Sequence, residues 1–129
     1  MTAYSRYFKG KTVLLVDDEG IVLDVAMRML EYLGFSVVVA KSGNEAIQKF
    51  ESKAENIDCV ILDIVMPIVD GFETLRALRN IDKSAKILLI TASPTYDIQG
   101  KYDTLRMDGL LHKPVDMSEL AEVLKKVLT

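Results

Sequence analysis

Hydrophobic and polar positions follow two rhythms along this chain. Five short runs are dominated by apolar, often β-branched residues: Thr12 to Val16, Phe35 to Ala40, Ile57 to Leu62, Lys86 to Ile90, and Leu110-Leu111-His112. Runs of this length without regular polar interruption predict strands buried on both faces of a sheet. Between them the apolar positions recur at helical spacing. Val22, Val25, Ala26, Met29, Leu30 and Leu33 predict a helix that Gly34 stops. Ser42-Gly43-Asn44-Glu45 is a capping box that opens a helix through about Lys53. A further helix is expected from about Gly71 to Ile81. The segment Tyr96 to Met107 has the weakest helical pattern, because its apolar face holds only Ile98, Tyr102 and Leu105. Gly100 lowers it further, by up to ~1 kcal/mol relative to alanine. Asp116-Met117-Ser118-Glu119 caps a last helix carrying Leu120, Val123, Leu124 and Val127.

Strict βα alternation with short connections implies a parallel sheet with helices on both faces. The expected fold class is therefore α/β, one doubly wound (βα)5 domain over residues 11–129 behind a polar and aromatic lead segment, residues 1–10. For five such units the common strand order is 2-1-3-4-5. No internal repeat, low-complexity tract or linker interrupts the pattern.

Composition narrows the class without naming a function. The 129 residues suit one domain with one sizeable core, and 50% hydrophobic with 27% charged residues is an ordinary soluble mixture. A net charge of −3 argues against a direct nucleic-acid platform. The single cysteine, Cys59, lies in the third expected strand, so no internal disulfide can form, which fits a cytoplasmic setting. The first ten residues lack the apolar centre of a signal peptide. No run approaches the ~20 apolar residues of a membrane span, so no membrane contact is expected.

The candidate chemistry gathers at strand ends. The third run stops at Asp63, followed by Pro67 and the turn pair Asp70-Gly71, which places a carboxylate where a buried strand meets a loop. In open α/β sheets ligands bind outside the carboxyl ends of the strands, where strand order reverses. There the sequence delivers Asp17 and Asp18 after strand 1, Asp63 after strand 3, Thr91 after strand 4 and Lys113 after strand 5. Each alone has a plainer reading: Asp17 and Asp18 could cap a helix, Asp63 could start a turn, Thr91 could satisfy backbone groups, and Lys113 could be a surface lysine. Together they make a different object. Three close carboxylates repel, so one must protonate unless a cation relieves them. An all-oxygen donor set suits Mg²⁺. A carboxylate beside a metal and an ammonium group can attack a phosphoryl group, which is the chemistry of an acyl-phosphate site.

Asp17-Asp18, Asp63-x-x-Met66-Pro67-x-x-Asp70-Gly71, Thr91-Ala92 and Lys113-Pro114 fall in that order on successive βα units, over roughly Lys11 to Thr129. In this the chain resembles the receiver domains of two-component response regulators, of the chemotaxis-regulator kind, on a flavodoxin-like topology. The resemblance implies that Asp63 is the phosphoacceptor. It implies Mg²⁺, with Mn²⁺ as a substitute, bound by Asp18 directly, by Asp17 through water, by Asp63 and by the Val65 carbonyl. Lys113 would pair with one phosphoryl oxygen and Thr91 would bond another, while the small Ala92 leaves access clear. The Lys113–Pro114 peptide would be cis, and Val65 and Ser93 would tune hydrolysis. One position departs from the family pattern: Leu110 stands where many receivers carry an aromatic switch residue. His112, beside the lysine, reads as a strand-edge side chain.

The function so implied is phosphorelay signal transduction by a phosphoacceptor domain that is not itself an enzyme. The expected partners are a sensor histidine kinase or histidine phosphotransfer protein upstream, and a downstream protein or linked output domain. The parent is expected to be a stand-alone receiver or a larger protein, with a hybrid histidine kinase favoured. A phosphorylation-independent docking module of the same fold is the main alternative. An aspartyl-phosphate phosphatase or phosphotransferase would need a cap that these short connections do not provide. A flavin module would find its phosphate repelled by Asp17-Asp18-Glu19.

Overall fold

A computed structural model of the chain describes residues 4–53, 56–63, 68–92 and 107–129. Five strands form one parallel sheet: β1 (Thr12–Val16), β2 (Ser36–Ala40), β3 (Cys59–Asp63), β4 (Ile87–Thr91) and β5 (Gly109–His112). Their order is β2-β1-β3-β4-β5, the doubly wound order expected from the alternation. Around them lie α1 (Ser5–Phe8), α2 (Gly20–Leu33), α3 (Gly43–Lys53), α4 (Ile68–Ile81) and a helix here called α5 (Met117–Leu128).

Successive strand residues point to opposite faces, which divides the core in two. Leu14, Val16, Val60, Leu62, Ile87 and Leu89 meet Ala46 and Phe50 of α3 and Leu75 and Leu78 of α4. Val13, Leu15, Ile61, Leu88, Ile90 and Leu111 meet Leu23, Leu30 and Leu33 of α2 and Leu120, Ala121 and Leu124 of α5. Local chemistry sets the helix ends. Ser42 Oγ accepts from the Glu45 amide at 3.1 Å while Glu45 Oε2 accepts from the Lys41 amide, and Asp116 Oδ1 accepts from the Glu119 amide at 2.7 Å. Gly34 ends α2 with φ +115°, a conformation that a side chain would strain.

Several bounds differ from those expected. β3 begins at Cys59 rather than Ile57 and includes Asp63, and α4 begins three residues before Gly71. The expected helix from Tyr96 lies outside the described residues except for Met107, as do Val65, Met66, Pro67 and Ser93. The lead segment carries an unanticipated short helix, α1. Phe8 is fully buried and stacks on Phe35 with ring centroids 4.5 Å apart. The Tyr4 hydroxyl donates to Glu122 Oε1 at 3.3 Å, and Lys125 Nζ lies 4.4 Å from the Tyr7 ring centroid. Thus α1 closes the amino edge of the sheet between α2 and α5.

Helical spacing located α2 without fixing its inner face. Val25, one of the residues at that spacing, is 54% exposed, while Leu23, Leu30 and Leu33 are buried. Apolar residues occur nearly all round this helix, so periodicity alone could not choose its inner face.

Candidate functional site

Four strands deliver side chains to the carboxyl edge of the sheet. β1 runs into Asp17, whose amide still donates to the Ala40 carbonyl of β2 at 3.1 Å. The ladder therefore holds this aspartate's backbone although it lies beyond the strand. Asp63 is the last residue of β3 and sits in register with Ile90 of β4. Thr91 ends β4 beside His112, and its carbonyl accepts the Lys113 amide at 2.8 Å. The Lys113–Pro114 peptide is cis.

Burial is what makes these side chains a site. Asp17 and Asp63 are each only 3% exposed and Thr91 is 1% exposed, among the few buried polar residues described. Lys113 Nζ lies 2.6 Å from Asp63 Oδ2. Asp17 hydrogen-bonds the Asp63 side chain, and its Oδ1 accepts the Glu19 amide at 2.9 Å. Burial, followed by that hydrogen bond to a second carboxyl group, pushes Asp17 up to about 7 from the ordinary 3.8. Lys113 opposes this only weakly. A proton on Asp17 relieves the clash of two buried carboxylates, which is one of the two remedies the sequence pattern required.

The expected site residues are therefore not equally placed. Asp17, Asp63 and Lys113 line one cleft, Thr91 lies at the adjoining strand end, and Leu110 is half-buried against the opposite sheet face. Asp18 is exposed on the residue after Asp17, and Ala92 follows Thr91. The Val65 carbonyl falls outside the described residues. Among the described residues no three acidic, histidine or cysteine side chains form a ready metal cluster. The buried pair Asp17 and Asp63 nonetheless fits Mg²⁺, which is commonly held by one or two carboxylates with waters and substrate phosphate oxygens completing its shell.

The structure adds residues that the strand-end pattern did not offer. The cleft over Asp17, Asp63 and Lys113 encloses about 520 Å³ and continues along α2 past Ile21, Val22, Val25 and Met29, opposite Val115. It is an apolar groove with a charged floor at one end. The available signal was the excess of apolar residues on α2, which one buried face did not need. Cys59 takes no part, since burial pushes its thiol up to about 12 and leaves it un-ionised.

A doubly wound sheet with buried acids and a lysine at its switch point defines a charged-site α/β domain, the class that includes the receiver fold. The chain belongs to the response regulator receiver domain family, whose sequence model matches residues 13–125. It is 37% identical over 116 residues to the transcriptional regulatory protein TrcR of Mycobacterium tuberculosis, covering 90% of this chain and 44% of that protein. It is 33% identical over 120 residues to hybrid signal transduction histidine kinase L of Dictyostelium discoideum, covering 88% of this chain and 7% of that one. Among solved structures it resembles the CheX–CheY–BeF3–Mg²⁺ complex from Borrelia burgdorferi, with TM-score 0.89 at 26% identity, over 98% of this chain and 99% of that chain. The chain spans less than half the length of the two curated relatives named. Among the described residues no helix is long and apolar enough to cross a membrane.

Proposed function

We propose that Asp63 accepts a phosphoryl group from a phosphohistidine and that the domain relays it as a signal. The observation that carries this reading is the juxtaposition of buried Asp63, buried Asp17 and Lys113, with the ammonium 2.6 Å from the Asp63 carboxylate. A carboxylate oxygen of Asp63 attacks phosphorus, the P–N bond to the donor imidazole breaks, and the imidazole leaves with the electron pair. Lys113 shifts from its Asp63 partner to a phosphoryl oxygen, and the Thr91 hydroxyl donates to another. Water later cleaves the acyl phosphate and regenerates Asp63.

Asp17, Asp18 and Asp63, with the Val65 carbonyl, would hold Mg²⁺. When bound, the metal neutralises charge on the transferring oxygens. Asp17 must release its proton to join that set. Leu110 carries no aromatic ring, so Thr91 and the chain following β4 relay the change. The upstream partner is a sensor histidine kinase or histidine phosphotransfer protein, and the output is a downstream protein or a linked domain. The mixture of a transcriptional regulator and a hybrid kinase among the relatives supports either parent. The compartment that goes with this reading is the cytoplasm.

Intact mass after incubation with Mg²⁺ and acetyl phosphate tests the reading. Wild type should gain one hydroxylamine-labile phosphoryl group, and Asp63→Asn should gain none. Wild type that stays unlabelled with acetyl phosphate and with a phosphorylated histidine donor would leave only the phosphorylation-independent docking module.

A further inference from the structure

Three of the four large hydrophobic side chains exposed among the described residues lie on one helix. Ile21 is 83% exposed, Val25 54% and Tyr32 62%, all on α2. At 100° per residue these three and Arg28 fall within a strip about 60° wide that runs for about 16 Å. The opposite side of α2 is already buried through Leu23, Leu30 and Leu33. A helix that is apolar on both sides is patterned to be covered on both sides. Single exposed hydrophobic residues need no explanation, but an aligned set does.

The neighbouring groove explains only part of the strip. Ile21 and Val25 line the groove that leads to Asp63, so a phosphodonor would rest on them; Tyr32 lines no part of it. What explains the whole strip is its match to itself. A two-fold axis passing beside residues 26 and 27 sets Ile21 against the partner's Tyr32 and Val25 against the aliphatic stem of the partner's Arg28. It also exchanges charges. Arg28 Nε now lies 3.2 Å from Asp24 Oδ2 of its own helix, with both side chains largely in water. In the antiparallel pair each Arg28 comes within reach of the partner's Asp24. The helix dipoles run in opposite directions, and a two-fold contact closes on itself without forming a filament.

We propose that α2 pairs with α2 of a second copy of this chain in an antiparallel two-fold contact, and that this pairing and entry to the groove above Asp63 exclude one another. Because Ile21 and Val25 belong to both surfaces, a paired copy covers the mouth of the groove. The dimer is then the form shielded from a protein phosphodonor, and release of α2 is required before transfer. The contact itself stands on the strip alone; only its consequence for transfer rests on the phosphoacceptor reading.

Analytical ultracentrifugation of the full chain, from low micromolar to submillimolar concentration, tests the contact. Wild type should show a concentration-dependent doubling of mass. Ile21→Asp should abolish it. Asp24→Arg alone should weaken it about tenfold or more by setting like charges across the axis. The double reversal Asp24→Arg with Arg28→Asp should restore it, which loss of a merely intrahelical pair would not produce. A chain that remains monomeric throughout, including one that pairs only with a donor protein, overturns the proposal. So does a dimer indifferent to all three variants, because it must use another face. Absence of phosphoryl labelling on Asp63 would leave the sedimentation result intact, so the two readings fail separately.

Discussion

The two ends of the α2 and α5 layer are built on opposite terms. At the amino edge of the sheet, α1 closes the layer with Phe8 stacked on Phe35 and Tyr4 and Tyr7 against α5, and nothing charged is buried there among the described residues. At the carboxyl edge, the same layer opens into a groove whose floor holds two buried carboxyl groups and a lysine. The first end gains stability from every group it buries. The second buries groups that would be better hydrated, and keeps room beside them. On the proposed reading, stability and phosphoryl transfer would come from different ends, and substitutions at the two ends should move stability in opposite directions.

The largest effect belongs to the amino edge. Phe8→Ala removes a fully buried ring and should destabilise the domain by about 3–5 kcal/mol in chemical denaturation. Where the variant remains folded, its labelling by acetyl phosphate should match wild type. A loss below ~1 kcal/mol would mean that the core closes without α1, and the contrast between the ends would then fail.

Gly109 tests how tightly the layer between them is packed. A Cβ there would lie 2.7 Å from Leu88 Cδ1 and 3.1 Å from Val123 Cγ1. Leu88 is fully buried and has little room to yield. Gly109→Ala should destabilise by about 1–3 kcal/mol through overpacking. Adding Leu88→Val removes the colliding methyl group, so the double variant should lose less than the sum of the singles. Simple additivity would place the cost in the backbone instead.

At the carboxyl edge the sign reverses. Asp17 has its folded pKa pushed up to about 7 from the ordinary 3.8. The folded chain therefore holds this proton more tightly than the unfolded chain does. The stability it contributes is fully present below about pH 3.8 and is lost as pH rises through about 7. Asp17→Asn should remove that slope and raise stability at about pH 8 by roughly 0.5–2 kcal/mol, while impairing phosphoryl uptake. Mg²⁺ should raise the melting temperature of wild type more at about pH 8 than at about pH 5.5, because the ion competes with the proton. Melting curves at the two pH values, with and without Mg²⁺, check both statements. A flat profile for wild type would remove Asp17 from the buried pair.

Most of this contrast could be read from the sequence, although unevenly. Continuous apolar runs, the Ser42 and Asp116 caps and the Gly34 stop specify the sheet and its helices through local chemistry, and the structure follows them closely. The acids were legible because buried strands ended in them, and their mutual repulsion already demanded a proton or a cation. Less legible was α1, since a helix of four residues draws its stability from tertiary packing rather than propensity. Tyr4, Tyr7 and Phe8, spaced as one helical face, were its only mark. The inner face of α2 could not be read from the spacing that includes Val25, because a helix apolar on both sides has no preferred phase. A groove is a gap between elements, and strand-end motifs carry no record of it.

The smallest expected effect sharpens the comparison through two lysines on one layer. Lys113 lies against a carboxylate that is nearly buried, whereas half-buried Lys125 lies over the Tyr7 ring. Arg6 reaches the same ring at 5.7 Å and can partly replace the lost cation. Lys125→Ala should therefore destabilise by only about 0.5–1 kcal/mol, and Lys125→Arg by less. In a domain of this size that is a fall of roughly 1–4 °C in melting temperature. Phosphoryl labelling should not change. Lys113→Ala should behave in the other way, with impaired labelling as its main effect, if its ammonium group serves the transferring oxygens as proposed. If Lys125→Ala slowed labelling as strongly, the amino edge would be coupled to the site through α5, and the division between a stabilising end and a reactive end would have to be abandoned.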